Sequence, residues 1–167
     1  MATVYLALGS NVGDSRQEIE QAIGLLGAAV NNIQRAPLYR TKAAGYTDQP
    51  DFINTAIRGE TALSPGELLA LAQDIEQKIG RIERFRWGPR EIDIDIIFYG
   101  DLVQESEALV LPHPVYHKRD FVLQPLKDLD PNLRDPVSGK TVSELLAKIA
   151  PQDKSITGIA GTVESVD

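Results

Sequence analysis

The 167-residue sequence contains no cysteine. That absence removes disulfides, thiolate zinc sites and thiol nucleophiles, and it suits a reducing compartment. Long apolar runs are missing too: none approaches the roughly 20 residues needed to span a bilayer. The opening Met1-Ala2-Thr3-Val4-Tyr5-Leu6-Ala7-Leu8 has no basic leader and turns polar by Ser10, so no secretory signal is expected. Basic charge is in deficit, with 17 Lys and Arg against 24 Asp and Glu and a net charge of −7. A polynucleotide partner needs a broad basic surface, so nucleic acid is not an expected ligand. Histidine occurs twice and tryptophan once, which makes the position of each informative. With 43% apolar residues, the chain is expected to be one soluble, cytoplasmic, monomeric domain without membrane contacts.

The pattern along the chain supplies the architecture. Residues 3–8 read as a buried opening strand, with Gly9-Ser10-Asn11-Val12-Gly13 as a turn-rich exit. Ser15 and Glu18 form a capping-box pattern, and Ile19, Ala22, Ile23 and Leu26 follow at helical spacing. Strands are predicted over 33–41 and 52–60, separated by a polar loop. Ser64, Pro65 and Glu67 open a second helix whose stripe is Leu68, Leu71, Ala72, Ile75 and Ile79. Residues 92–99 read as a strand inside the sheet. Thr141 and Glu144 cap a short third helix ended by Pro151. The order strand, helix, strand, strand, helix, strand is that of a ferredoxin-like split βαβ sandwich: an α+β fold with a mainly antiparallel central sheet and helices packed on it. The expected domain covers residues 1–151, and residues 152–167 read as a loosely held tail.

Chemistry concentrates around Arg86-Trp87-Gly88-Pro89-Arg90-Glu91-Ile92-Asp93-Ile94-Asp95-Ile96-Ile97. Alternation puts Ile92, Ile94 and Ile96 on one face of a strand and Asp93 and Asp95 on the other. Two strand steps separate the aspartates by roughly 6.6 Å. At an effective dielectric near 20 their charges repel by roughly 2–3 kcal/mol. Such repulsion calls for a compensating cation, and paired carboxylates suit Mg²⁺ while leaving coordination positions for substrate phosphates. Arg81, Arg84, Arg86 and Arg90 fall within ten residues, a compact basic spot that suits a small polyanion. Arg81 and Arg90 bracket a glycine- and proline-punctuated segment that reads as a lid. Both histidines lie in Pro112-His113-Pro114-Val115-Tyr116-His117-Lys118-Arg119-Asp120-Phe121, where phosphate contacts from His113 and Arg119 are expected in preference to metal ligation.

Together these blocks resemble the 6-hydroxymethyl-7,8-dihydropterin pyrophosphokinases of folate biosynthesis. Ala7-Leu8-Gly9-Ser10-Asn11, Asp48-Gln49-Pro50-Asp51-Phe52-Ile53-Asn54, Trp87-Gly88-Pro89-Arg90 with Asp93-x-Asp95, Pro112-His113-Pro114 and the run from Arg119 to Leu126 carry the resemblance, in order. It implies transfer of the β,γ-pyrophosphoryl group of ATP to the pterin hydroxymethyl oxygen, with release of AMP and two Mg²⁺ ions as cofactors. It also implies roles for individual residues. Asp93 and Asp95 become metal ligands, and Arg81, Arg90 and Asp95 become catalytic. Glu76, Trp87, Arg90, His113 and Arg119 become ATP contacts, while Gly45, Phe52, Asn54 and Phe121 become pterin contacts. Two rivals stand beside this reading: a ferredoxin-like regulatory module that binds a small molecule without chemistry, and a nucleotidyltransferase that would place AMP on its acceptor.

Overall fold

The computed structural model describes residues 1–11, 15–42, 51–80 and 92–161. β1 (Ala2–Ser10) lies between β4 (Phe52–Thr61) and β5 (Asp93–Tyr99) and is antiparallel to both. On the far side of β4 lie β2 (Val30–Arg35) and β3 (Leu38–Thr41), and β8 (Ile156–Gly161) extends the sheet beyond β3. The order β5-β1-β4-β3-β8 is the ferredoxin-like arrangement with one strand added at its edge. β6 (Gln104–Glu105) and β7 (Val110–Leu111) form a separate small hairpin.

Helices cover both faces of the sheet. α1 (Ser15–Leu26) and α2 (Pro65–Gly80) place Ile19, Leu26, Leu68 and Ile75 against Leu6, Leu8, Ile94 and Ile96. α3 (Asp120–Leu129) and α4 (Val142–Ala147) seal the other face, with Val122, Leu123, Leu126 and Leu146 over Tyr5, Ala56, Ile97 and Phe98. A bulge opposite Tyr5 and Leu6 inserts one extra residue in β5, so Ile97 and Phe98 both enter this second core. Capping is as read from sequence at two helices. The Ser64 N–H donates to Glu67 Oε1 at 2.9 Å and the Glu67 N–H to Ser64 Oγ at 3.2 Å. Thr141 and Glu144 make the equivalent reciprocal pair at α4.

The structure differs from the sequence reading at five points. The strand predicted over 33–41 is two strands, β2 and β3, interrupted at Pro37, which has no N–H to give a ladder. β1 does not turn at Gly9 but runs through Ser10, pairing Gly9 with Asn54. α3 lies where the sequence reading placed no helix, and Pro125 sits inside it. That proline forfeits one helical hydrogen bond, which burial of Val122, Leu123 and Leu126 offsets. β5 is not an inner strand: among the described residues it ends the sheet, and its outer edge is met by the His113 N–H, which donates to Ile97 O at 3.0 Å. Finally, residues 156–161 of the expected loose tail are strand β8, paired to β3.

Candidate active site

A cleft of about 480 Å³ opens at the edge of the sheet where β1 and β3 end and β4 and β5 begin. Asp93 and Asp95 project into it from the start of β5, while Ile92, Ile94 and Ile96 of the same strand point into the core beneath α1 and α2. The residues opposite the aspartates on β1 are Gly9 and Ala7. Because neighbours across a strand pair share a face, these small residues leave the carboxylates open to the cleft. From the far side of the strand, Glu76 of α2 accepts the Ile94 N–H at 2.8 Å, which ties the backbone between the two aspartates to the helix. Glu76 is not among the residues lining the cleft.

The donor set fits a hard divalent cation that keeps open positions. Among the described residues, no three Asp, Glu or His side chains converge into a cage. Two carboxylates, completed by water and phosphate oxygens, are the usual way Mg²⁺ is held beside a nucleotide. Arg119 and Lys118 bring positive charge to the same cleft. The Arg119 guanidinium lies 5.8 Å from the centre of the Phe121 ring, within cation–π range. His113 sits near both Asp95 and Arg119. Burial pushes its pKa down, the Asp95 carboxylate pulls it up, and Arg119 and His117 push it down again, so it lies below the ordinary histidine value. Its Nδ1 accepts the Val115 N–H at 3.2 Å, which leaves Nε2–H as the donor of the neutral ring.

Phe52 enters the cleft from the start of β4, and Phe121 from the start of α3. Asn54 lines the cleft with them and is 8% exposed. Its Nδ2 donates to Thr41 Oγ1 at 2.7 Å, which fixes the amide orientation while one N–H and the carbonyl remain for a ligand. Gly9 is essential to that placement, since a Cβ there would collide with Asn54 Oδ1. The cleft therefore gathers Asp93, Asp95, Phe52, Asn54, Arg119 and Phe121, with His113 at its margin. Gly45, Arg81, Trp87 and Arg90 lie outside the described residues. Sequence reasoning missed Thr41, Lys42, Lys118, Asp153 and Ser155, which also line the cleft. Lys118 lies in the 112–121 run beside Arg119, whereas the other four belong to no motif, and only the folded sheet brings residues 41–42 and 153–155 together.

An α+β sandwich with two carboxylates, adjacent basic side chains and an amide-bearing aromatic slot in one cleft defines a class: small transferases that present a phosphorylated co-substrate to a flat polar ring. Residues 5–131 match the family model of 7,8-dihydro-6-hydroxymethylpterin-pyrophosphokinase. The 2-amino-4-hydroxy-6-hydroxymethyldihydropteridine pyrophosphokinase of Aquifex aeolicus is 44% identical over 144 residues, covering 86% of this chain and 90% of its own length. The enzyme of the same name from Methylorubrum extorquens is 42% identical over 153 residues, covering 90% and 96%. The fold is also that of the wild-type HPPK-DHPS protein of Plasmodium falciparum, with a TM-score of 0.71 at 17% identity. That match covers 88% of this chain and 44% of the longer one. The chain belongs to the 7,8-dihydro-6-hydroxymethylpterin-pyrophosphokinase family.

Proposed function

We infer that this chain transfers the β,γ-pyrophosphoryl group of ATP to the hydroxymethyl oxygen of 6-hydroxymethyl-7,8-dihydropterin, a step of folate biosynthesis. The observation that carries the reading is the shared cleft: the Asp93–Asp95 pair opens into the same space as Phe52, Asn54 and Phe121. The aromatic rings offer flat faces to a bicyclic heterocycle, and the remaining N–H and carbonyl of Asn54 match the alternating donors and acceptors of a pterin edge. A regulatory module has no need of an acidic pair beside that slot.

Asp93 and Asp95 are the residues that would hold two Mg²⁺ ions. Once bound, the metal supplies Lewis-acid polarisation of the phosphoryl oxygens and offsets their charge. The chain's own groups do the rest. Phe52, Phe121 and Asn54 orient the ring so that its hydroxymethyl oxygen faces the β-phosphorus. Arg119 and the Nε2–H of His113 bind phosphate oxygens, Arg81 and Arg90 act on the transferred phosphates, and Trp87 is a further ATP contact. Attack by the hydroxymethyl oxygen forms the new O–P bond as the bond from the β-phosphorus to the α,β-bridging oxygen breaks. AMP leaves with that oxygen, and the hydroxyl proton is released. No side-chain nucleophile is required. Glu76 serves from behind the strand, and Gly45 is a further pterin contact in this reading.

In this reading the protein acts as a cytoplasmic monomer. Among the described residues, no helix is long and apolar enough to cross a membrane. The decisive experiment is product analysis after incubation with ATP, Mg²⁺ and the reduced pterin alcohol. AMP with a diphosphorylated pterin is the expected outcome. Pyrophosphate with an adenylylated pterin would establish the nucleotidyltransferase instead, and binding without turnover would establish the regulatory module.

A further inference from the structure

The last described stretch of chain returns to the cleft. After a 3-10 turn at Pro151–Asp153, Ser155 meets the end of β3, where the Lys42 N–H donates to Ser155 O at 3.0 Å. β8 then continues along β3, pairing Ile156 with Thr41. From the opposite wall, Asp120 at the start of α3 reaches the same two residues. Its Oδ2 accepts the N–H groups of Ser155 at 2.8 Å and Ile156 at 3.1 Å, and its Oδ1 accepts the Ser155 hydroxyl at 2.7 Å. Asp120 is 3% exposed. Ser155 and Ile156 thus bridge the two walls of the cleft, one carrying Thr41 and Lys42, the other Arg119 and Phe121.

Two features make this more than another buried hydrogen bond. An aspartate in the first turn of a helix ordinarily serves that helix's own free N–H groups. Here the three hydrogen bonds that the Asp120 carboxylate accepts come from a segment 35 and 36 residues further along the chain. β8 also contributes little apolar burial, since none of its six residues is buried and Ile159 is 61% exposed. Its attachment rests mainly on backbone pairing to β3 and on this carboxylate, with Ala160 packed against the core and the Thr157 hydroxyl donating to Arg40 O at 3.2 Å. Three donors from two consecutive residues give the clasp a defined geometry, and a buried carboxylate deprived of them would be strongly disfavoured.

We propose that Asp120 is a positioning residue: by clasping Ser155 and Ile156 across the cleft, it sets the spacing between Phe121 and the Thr41–Asn54 edge that together grip the pterin. This rests on the pterin reading above. The C-terminal segment, which lies beyond the family match ending at residue 131, is then part of the substrate site.

The test compares the full-length wild type with Asp120→Ala, Asp120→Asn and Ser155→Ala. Pterin binding is measured by ligand fluorescence, ATP-site binding with a non-hydrolysable ATP analogue and Mg²⁺, and turnover by AMP release. Asp120→Ala is expected to weaken pterin binding and raise its KM by about tenfold, with ATP-analogue affinity within about threefold of wild type. Asp120→Asn, which keeps one acceptor oxygen, recovers most of the loss. Ser155→Ala removes only the hydroxyl bond and raises the pterin Kd about threefold, a readout that survives if Asp120→Ala fails to fold. Unchanged pterin affinity in the folded variants overturns the proposal, as does an equal loss of pterin and ATP-analogue affinity. A wild type that binds no pterin and releases no AMP would instead overturn the functional reading itself.

Discussion

Asp93 and Asp95 illustrate how much one strand can encode. Strict alternation with isoleucine sends the two carboxylates into the cleft and the three apolar side chains into the core. Asp95→Ala is expected to lower kcat for AMP release by about 100-fold or more, because a metal-bound phosphoryl group loses a ligand worth several kcal/mol in the transition state. The thermal midpoint should stay within about 3 °C of wild type, since Asp95 lines the open cleft and is no part of the apolar core. A calorimetric scan beside the assay separates lost chemistry from lost fold. Gly9 is the quieter case. The sequence pattern suggests a turn, whereas the residue lies in β1 paired with Asn54, whose amide occupies the space that a side chain at position 9 would take. Gly9→Ala should push the Asn54 amide off Thr41 and weaken pterin binding by about tenfold, with affinity for an ATP analogue nearly unchanged. Equal pterin affinities measured by titration would show that the amide does not read the ring.

At the scale of elements, local signals were read well wherever the deciding contacts lie within a few residues. The capping pairs Ser64–Glu67 and Thr141–Glu144 form as written, since each needs only one turn of helix. Thr141→Ala should cost about 1 kcal/mol. For a chain of this size that corresponds to about 2–4 °C in midpoint, measurable by thermal denaturation. α3 and β8 escaped because their supports are distant. Pro125 argues locally against a helix, and only the apolar surface of Tyr5, Ala56 and Phe98 overrides it. β8 has weak periodicity of its own and gains its structure from the free edge of β3 and the carboxylate of Asp120. The displacement of β5 from the interior to the end of the sheet has a similar origin. Its continuous apolar run reports burial on both faces, and α2 on one side and Tyr116 and Val122 on the other provide that without a second neighbouring strand.

Across the whole molecule, acid stability should reflect carboxylates held below their ordinary range. Burial alone would raise the pKa of Asp135, but the Tyr116 hydroxyl and the N–H groups of Ser138 and Val137 outweigh it and hold the carboxyl below 3.8. Tyr116 Oη donates to Asp135 Oδ2 at 2.6 Å, and burial, together with this neighbour, raises the tyrosine. Backbone and side-chain hydrogen bonds from Ser64 and Thr141 likewise lower Glu67 and Glu144. For a group whose folded pKa is depressed, the stabilisation is fully present above its unfolded value and is lost as pH falls through the folded one. Urea midpoints should therefore hold steady near neutrality and drop once the pH falls below the ordinary carboxylate range. Tyr116→Phe should lower stability by about 1–3 kcal/mol at neutral pH and flatten the acid limb, because Asp135 then titrates closer to its unfolded value. An acid limb of unchanged slope would mean that Asp135 does not contribute to it.

The amino-acid sequence by itself determined the ferredoxin-like order of elements, the face from which Asp93 and Asp95 project, and the two helix caps. These depend on periodicity and on contacts a few residues long, which the order of residues records directly. Only the tertiary structure decided that Gly9 makes room for Asn54, that Phe52 and Phe121 face one cleft, and that Asp120 draws Ser155 and Ile156 to its rim. Those relations join residues tens of positions apart, and no local pattern carries them. They exist because antiparallel pairing brings the ends of β1 and β3 beside the starts of β4 and β5, and because a buried carboxylate is stable only where donors from elsewhere in the chain surround it.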